Sequence, residues 1–204
     1  MYRYFEGRPP SLEAIRERAV TYSCDLWTEA DVSRVFDAPA QLTPTERFVL
    51  FSLVLGLRPR HAVEIGSFRG GSADIIAHAM DLNGYGSLTV IEPNPEFSPE
   101  LWDRIRGRTT LIQACSPEGL AGLSCDFAMI DAMHTTDNVK ADLTAVRSIL
   151  DRGSVVLLHD AHYSDVKRGI DESPGWLDCG VLTVSATLDN EGRTWAGWRL
   201  LRKL

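Results

Sequence analysis

Residues 63–72 have the sequence VEIGSFRGGS, a short apolar strand that runs into a loop with three glycines. Glycine lets the chain turn sharply and lets a ligand approach the backbone closely. The next residues, 71–82, predict a helix that begins in this loop, and the free N–H groups at a helix N-terminus attract negative charge. The segment therefore predicts a strand, a ligand-binding loop and a helix.

Alternation of strands and helices continues as far as residue 160. Strands are predicted at residues 61–66, 87–92, 109–114, 127–131 and 154–160, and helices at residues 71–82, 97–107 and 137–152. The strands are continuous apolar runs, which is typical of a parallel sheet covered by helices on both faces. We expect an α/β fold with a Rossmann-like, doubly wound, mostly parallel seven-stranded sheet.

The C-terminus has a different pattern. Residues 181–188 (VLTVSATL) and 193–201 (RTWAGWRLL) flank the turn-forming residues 189–192, and together they predict a C-terminal antiparallel hairpin. We expect a single domain, in which residues 1–60 form a helical N-terminal cover and residues 61–204 form the Rossmann-like core.

Two helices are predicted in the N-terminal cover. The first spans about residues 11–19. The second begins with Thr43 as N-cap, Pro44 at the first helical position and Glu46 closing a capping box. Residues 48–57 of this second helix are apolar almost all round, which predicts burial against the sheet or against a partner subunit. We therefore expect a homo-oligomer, most simply a dimer.

The composition excludes several classes of partner. A formal net charge of −7 argues against general affinity for nucleic acid or anionic membranes. No apolar run approaches the roughly 20 residues that cross a bilayer, and the first residues lack the apolar core of a secretory signal. The four cysteines are scattered, as in proteins of a reducing compartment. We expect a cytoplasmic protein that acts on a small molecule.

Two glutamates indicate the ligand of the glycine loop. The glycines have the spacing G-x-x-x-G-G rather than the dinucleotide pattern G-x-G-x-x-G, and Glu64 lies two residues before the first of them. A carboxylate there repels a pyrophosphate but attracts an ammonium group. Glu92 ends the second predicted strand, where a carboxylate can accept ribose hydroxyls. Glu92 fits either cofactor, whereas Glu64 and the glycine spacing favour S-adenosylmethionine. An NAD(P)-dependent oxidoreductase and a non-catalytic cofactor-binding protein stay open as alternatives.

Acids and histidines cluster after the fourth and fifth strands. Asp131 and Asp160 end these strands, and neighbouring parallel strands lie about 4.8 Å apart, so both carboxylates can converge on a divalent cation such as Mg²⁺. Such an ion can hold a substrate hydroxyl and lower its pKa. His134 is the first candidate for the base and His162 the second. Asp142, within the helix after the fourth strand, is expected on a solvated face.

The segments VEIGSFRGGS (63–72), IEPNP (91–95), FAMIDAMH (127–134) and LLHDAHY (157–163) carry a resemblance. Together, from about residue 61 to 163, they resemble small class I methyltransferases: the cephalosporin-biosynthesis methyltransferase, the macrolide and aminocoumarin sugar O-methyltransferases and, more distantly, catechol O-methyltransferase. The resemblance implies O-methylation of a small natural-product or sugar hydroxyl.

The resemblance also implies roles for individual residues. Those expected around S-adenosylmethionine are Glu64, Gly66, Ser67, Gly71 and Ser72 at the methionine part, Glu92 at the ribose, Ser116 at the adenine, and Asp131. Asp131 and Asp160 would be the metal ligands. The chain departs from the family pattern twice: Ala114-Cys115 stands where Gly-Asp is usual, and Ala161 where an Asp or Asn usually supplies a third metal ligand.

Overall fold

The computed structural model describes residues 28–183, 187–188, 194–195 and 197–204. Nine strands lie in these ranges: β1 His61–Ile65, β2 Ser87–Ile91, β3 Thr109–Ile112, β4 Cys125–Ile130, β5 Leu150–Leu158, β6 Trp176–Val181, β7 Thr187–Leu188, β8 Thr194–Trp195 and β9 Arg199–Lys203.

The helices in the same ranges are α1 Glu29–Asp37, α2 Pro44–Leu57, α3 Gly71–Asn83, α4 Pro99–Ile105, α5 Thr136–Ile149 and α6 Ser164–Asp171, and a 3₁₀ turn spans Glu118–Leu120. None of the described helices is long and apolar enough to cross a membrane. The helix predicted at residues 11–19 lies outside the described residues.

Seven strands form one sheet in the order β3-β2-β1-β4-β5-β9-β6, and β7 pairs separately with β8. The first five strands in this order are parallel to one another, whereas β9 is antiparallel to both β5 and β6. The predicted Rossmann-like sheet is confirmed. Its register aligns Ile65 with Ile91 on one side and with Ile130 on the other, so that the loops after β1, β2 and β4 leave the sheet side by side.

Both faces of the sheet are buried, as the continuous apolar strands predict. Successive residues Ala62 and Val63 are both fully buried, yet they belong to different hydrophobic clusters. One cluster packs the sheet against α1 to α4, and the other packs it against α5 and α6. Helices on both faces leave the carboxyl edge of the parallel strands as the place for a ligand.

Helix α2 begins as predicted. The Glu46 backbone N–H donates to Thr43 Oγ1 at 3.3 Å, and the Thr43 N–H donates to Glu46 Oε2 at 2.8 Å, which completes the capping box. Phe48 and Leu57 remain 41% and 46% exposed in the single chain, so cover of this face by a partner subunit stays a prediction. The other face, with Leu50 among its buried residues, packs in the core.

The C-terminal hairpin is confirmed with different bounds. Strand β6 begins at Trp176, before the predicted residue 181, and pairs with β9, while the short β7–β8 pair lies between them along the chain. The sequence pattern missed β6 because this edge strand, WLDCGV, is largely exposed and contains a charged residue and a glycine. An edge strand with little burial lacks the apolar run by which buried strands are recognised.

Candidate functional site

The loops after β1 and β4 touch at the carboxyl edge of the sheet. Gly66 has φ of 81°, and a Cβ at this position would lie 2.1 Å from the Asp131 carbonyl oxygen. A side chain is therefore excluded here both by backbone conformation and by space. The contact brings the glycine loop against the residue that ends β4, so the two predicted motifs share one site.

A cavity of about 530 Å³ lies over this edge. Its size falls in the range of small-molecule sites. Its walls come from residues 39–42, 65–69, 71–72, 91–94, 114–116, 131–134, 138 and 141–142. The wall includes eight of the predicted site residues, namely Gly66, Ser67, Gly71, Ser72, Glu92, Ser116, Asp131 and His134. The other three, Glu64, Asp160 and His162, lie outside it.

Glu92 holds the glycine loop to the tip of β2. Its Oε2 accepts hydrogen bonds from the Ser67 and Phe68 backbone N–H groups at 3.0 and 2.9 Å, and its Oε1 accepts from the Asn94 N–H at 2.8 Å. A carboxylate can accept about four hydrogen bonds, so a place remains for a ligand hydroxyl. Glu92 thus shapes the loop in addition to facing the cavity.

Glu64 is fully buried behind the cavity wall. Its Oε1 accepts a hydrogen bond from Ser72 Oγ, and its Oε2 has no hydrogen-bond partner among the described residues. Burial raises the pKa of Glu64 to about 8, so the free protein holds this carboxyl largely protonated at neutral pH. An unsatisfied buried oxygen is costly, and a nearby cation would both satisfy it and favour its ionised form.

At the tips of β4 and β5, His134 lies between two carboxylates. Its Nε2 is 2.9 Å from Asp160 Oδ2 and 3.7 Å from Asp131 Oδ1. Asp160 has φ of 52°, a left-handed conformation that is uncommon for a residue other than glycine. Hydrogen bonds to Asp131 and Asp160 raise the pKa of His134 to about 9. The histidine is therefore a cation in the free protein at neutral pH.

His159 joins the same aspartates from beneath. Its Nδ1 lies 3.3 Å from Asp131 Oδ1 and 3.6 Å from Asp160 Oδ1, while its Nε2 lies 3.2 Å from Glu46 Oε1. Burial disfavours a charged His159, but the three carboxylates outweigh it and raise its pKa to about 10. Sequence reasoning placed Glu46 only in the capping box, and no local signal could have shown that it also reaches His159, 113 residues away.

These five side chains form what we term the carboxylate–imidazole network: Glu46, Asp131, His134, His159 and Asp160. Burial disfavours ionisation of Glu46, but His159 and the Gly197 N–H lower its pKa to about 2. His159 and His134 also lower the pKa of Asp131 against the effect of burial. The network therefore contains ionised carboxylates held by two imidazolium rings.

A divalent cation has a possible donor set here. Ligand atoms of Asp131, His134 and Asp160 all lie within 4.8 Å of one another. Ala161, after Asp160, is buried and offers no ligand, so the third member of this donor set is His134. Two carboxylates and an imidazole suit a divalent metal ion. A protonated His134 and a metal ion exclude each other, since metal ligands must be deprotonated.

The structure does not bring His162 into the cavity. Its ring packs on Gly197, where a Cβ would lie 2.4 Å from the ring, and its Nε2 is 3.4 Å from the Thr183 carbonyl oxygen. Of the two candidate bases, only His134 therefore lies on the cavity wall.

The prediction for Asp142 is wrong. The sequence places it on a solvated helix face, but it is 6% exposed and lines the cavity. Its spacing of three from Val139 and four to Val146, both buried, places it beside the apolar stripe of α5. That spacing was the available signal for its burial.

A family model described as a methyltransferase domain matches residues 63–161. A search of curated proteins found no significant match.

Solved structures of similar fold extend over nearly the whole chain. Cofactor-bound Rv0187 from MTB is 19% identical, with a TM-score of 0.62, and the alignment covers 98% of this chain and 99% of that chain. The O-methyltransferase TomG from Streptomyces achromogenes, involved in tomaymycin synthesis and solved with SAM, is 16% identical, with a TM-score of 0.62 and coverage of 92% and 96%. An O-methyltransferase from Bacillus cereus in complex with SAH is 17% identical, with a TM-score of 0.59 and coverage of 93% and 97%. At these identities the likeness establishes the fold.

Proposed function

We propose that this chain is a class I S-adenosylmethionine-dependent methyltransferase that methylates a hydroxyl oxygen of a small molecule, as the methyltransferase-domain match over residues 63–161 and the similar folds solved with SAM or SAH support. The observation that carries the proposal is the single cavity that connects the glycine loop to Asp131 and His134. At one end, the glycine loop lies at a helix N-terminus with Glu64 buried behind it. At the other end, Asp131 and His134 can orient and deprotonate a hydroxyl. The acceptor class we propose is a sugar or another natural-product hydroxyl.

The residues of the glycine loop fit the cofactor. The unpaired Oε2 of Glu64 is an acceptor for an ammonium group, and Ser72 Oγ fixes the other oxygen of the same carboxylate. Glu92 keeps an acceptor position for a ribose hydroxyl, while Ser116 stands at the β3 end of the cavity. When bound, S-adenosylmethionine supplies a methyl group on a positively charged sulfur, and its transfer requires the acceptor hydroxyl to lose a proton.

Asp131 and His134 are proposed to handle that proton. Both line the cavity, and Asp131 keeps a side-chain exposure of 25%, so an acceptor hydroxyl can reach it. In the free protein His134 donates rather than accepts, because its pKa is raised to about 9. Without a metal ion, Asp131 is then the available acceptor, and the protonated His134 donates to the substrate oxygen and orients it.

We further propose that Asp131, Asp160 and His134 can hold a divalent cation such as Mg²⁺. The support is the donor set within 4.8 Å. When bound there, the ion would stabilise the acceptor oxygen as an anion. Its imidazole ligand makes Mn²⁺ a useful second ion to test beside Mg²⁺, which prefers oxygen ligands.

A partner subunit and a cytoplasmic location complete the proposal. Residues 39–42 of the N-terminal cover already line the cavity, and the exposed Phe48 and Leu57 on α2 offer apolar surface to a second copy of the chain. The net charge of −7 favours a small-molecule substrate over nucleic acid or a membrane. A sedimentation experiment tests the dimer, and a fully active monomer would refute it.

The decisive assay combines methyl-labelled S-adenosylmethionine with a panel of hydroxylated sugars and phenols, and detects methyl ethers by mass spectrometry. We expect transfer to at least one acceptor, loss of transfer with EDTA and recovery with Mg²⁺ or Mn²⁺. Asp131→Asn should lower kcat by about 1,000-fold. Asp171→Asn, which removes a surface acid from α6, is the matched control.

Different failures identify different alternatives. Cofactor binding without transfer to any acceptor would favour a non-catalytic cofactor-binding protein. Binding of NADH in place of S-adenosylmethionine would favour an oxidoreductase. Full activity in EDTA would remove the metal from the proposal and leave the methyl transfer intact.

A further inference from the structure

The acid that corrects the sequence prediction, Asp142, has no evident structural purpose. It is 6% exposed on α5, and no described residue forms an ion pair with it. Burial raises its pKa to about 6 despite the opposing influence of the Ser116 hydroxyl. Burying a carboxyl without a cationic partner destabilises a folded chain, so a ligand that satisfies it is the simplest reason to retain it there.

Asp142 stands at one particular end of the cavity. The strands β4, β1, β2 and β3 follow one another across the sheet, so the β3 loop lies farthest from Asp131. Asp142 and Ser116 both line the cavity, and α5 packs against the 3₁₀ turn that follows Ser116. The carboxyl therefore lies at the β3 end, and Glu92, at the tip of β2, lies between it and the network.

The second polar group at this end is the Ser116 hydroxyl, a neighbour of Asp142. Ser116 Oγ is buried and, among the described residues, makes no hydrogen bond of normal geometry. The neighbouring loop residues Ala114 and Cys115 carry no acid. The β3 end thus presents a carboxylate acceptor beside a hydroxyl that can donate, in an otherwise largely apolar wall.

This pair matches one edge of adenine. The edge presents an exocyclic amine, which donates, beside a ring nitrogen, which accepts. Hypoxanthine, the deaminated base, presents a carbonyl oxygen beside a ring N–H, so its donor and acceptor are reversed. A carboxylate facing that carbonyl oxygen would be repelled as well as unpaired.

We propose that Asp142, together with Ser116, recognises the adenine edge of the cofactor by accepting a hydrogen bond from the exocyclic amine. This inference rests on the proposed function, because it assumes that the cavity takes an adenosyl ligand. It assigns base recognition to helix α5 rather than to the loop after β3 alone.

Calorimetric titration with S-adenosylhomocysteine and S-inosylhomocysteine tests the proposal without any turnover. The wild-type chain should bind the adenosyl compound about 100-fold more tightly than the inosyl compound. Asp142→Asn, whose amide can rotate to donate or accept, should reduce this preference to about threefold, mostly by losing affinity for the adenosyl compound. Asp137→Asn, an exposed acid on the same helix, is the matched control and should keep the wild-type preference.

Thermal unfolding of the ligand-free variants checks that each is folded, and Asp142→Glu serves as a second variant that keeps the charge and should keep the preference. An unchanged preference in folded Asp142→Asn would overturn the assignment while leaving the proposed cofactor intact. A wild-type chain that binds neither compound would overturn both this inference and the proposed function.

Discussion

Two sides of the cavity hold their charges in different ways. On the glycine-loop side, which we define as Glu64, Glu92 and residues 66–72, Glu92 is fixed by backbone N–H groups of the loop and of Asn94. On the network side, the carboxylates and imidazoles hold one another, and Glu46 reaches them from α2. Backbone donors follow from the local fold, whereas side-chain pairs depend on distant elements meeting correctly.

Because of this difference, mutations on the two sides should affect different properties, ligand binding on one side and stability on the other. A change at Glu64 removes a ligand contact and leaves the loop still held by the Glu92 carboxylate. A change within the network leaves an uncompensated buried charge, and breaking a buried ion pair in this way is strongly destabilising. Three substitutions test this difference between the two sides.

His159→Gln should have the largest effect on folding. Removing the imidazolium leaves Glu46, Asp131 and Asp160 without their shared cation, and we expect a loss of about 3 kcal/mol in the free energy of unfolding at pH 7. Because the pKa of His159 is raised from 6.5 to about 10 in the folded chain, its contribution is complete below pH 6.5 and is lost as the pH rises through 10. Denaturant titrations at several pH values measure both the loss of unfolding free energy and its dependence on pH.

The gap between wild type and His159→Gln should therefore narrow between pH 7 and pH 10. His61→Gln is the matched control, since the His61 ring nitrogens contact the Ser124 carbonyl and the Thr89 hydroxyl instead of carboxylates. A pH-independent gap for His159→Gln would contradict the charge assigned to the network.

Glu64→Gln should weaken S-adenosylhomocysteine binding by about 30-fold, or about 2 kcal/mol, because a charged hydrogen bond to the ammonium group is lost. The pKa of Glu64 is raised to about 8 in the free chain, so binding of a cation beside it should release a proton at pH 7. Calorimetry in two buffers of different ionisation enthalpy measures that release, which the variant should lack.

The raised pKa of Glu64 also predicts that Glu64→Gln, which weakens ligand binding, stabilises the ligand-free chain at higher pH. An acid with a raised folded pKa stabilises most below its unfolded value of 4.5 and loses this contribution as the pH rises through 8. The free energy of unfolding of ligand-free Glu64→Gln should therefore rise relative to that of the wild type as the pH rises toward 8. Glu96→Gln, which changes an exposed acid paired with Arg69, controls for general charge effects. In the calorimetric experiment, equal proton release from Glu64→Gln and wild type would refute the protonated state assigned to Glu64.

Thr43→Ala should have the smallest effect, about 1 kcal/mol in unfolding free energy, because it removes one helix cap. The Thr43 hydroxyl donates to Glu46 Oε2 at 2.8 Å, whereas Oε1 of the same carboxylate faces His159. The variant therefore tests the contact of Glu46 with the helix cap separately from its contact with His159. Thr43→Ser should behave as wild type, and a loss as large as that of His159→Gln would show that the cap and the network are inseparable.

The local sequence determined the sheet, the glycine loop and the start of α2. Apolar runs, the glycines at 66, 70 and 71, and the Thr43–Glu46 capping box act over a few residues, so their consequences are visible without knowing what packs against them. The strand order then placed Gly66, Glu92 and Asp131 at one edge, as the motif spacing predicts.

Which side chains meet depends on how distant segments of the chain pack together. Glu46 reaches His159 because α2 packs over the sheet, Asp142 faces the cavity because α5 turns that edge of its apolar stripe inward, and His162 is held away from it against Gly197. Burial and charge pairing then set the pKa values of Glu64, His134 and His159. These are properties of contacts between distant segments, and no pattern within a single segment contains them.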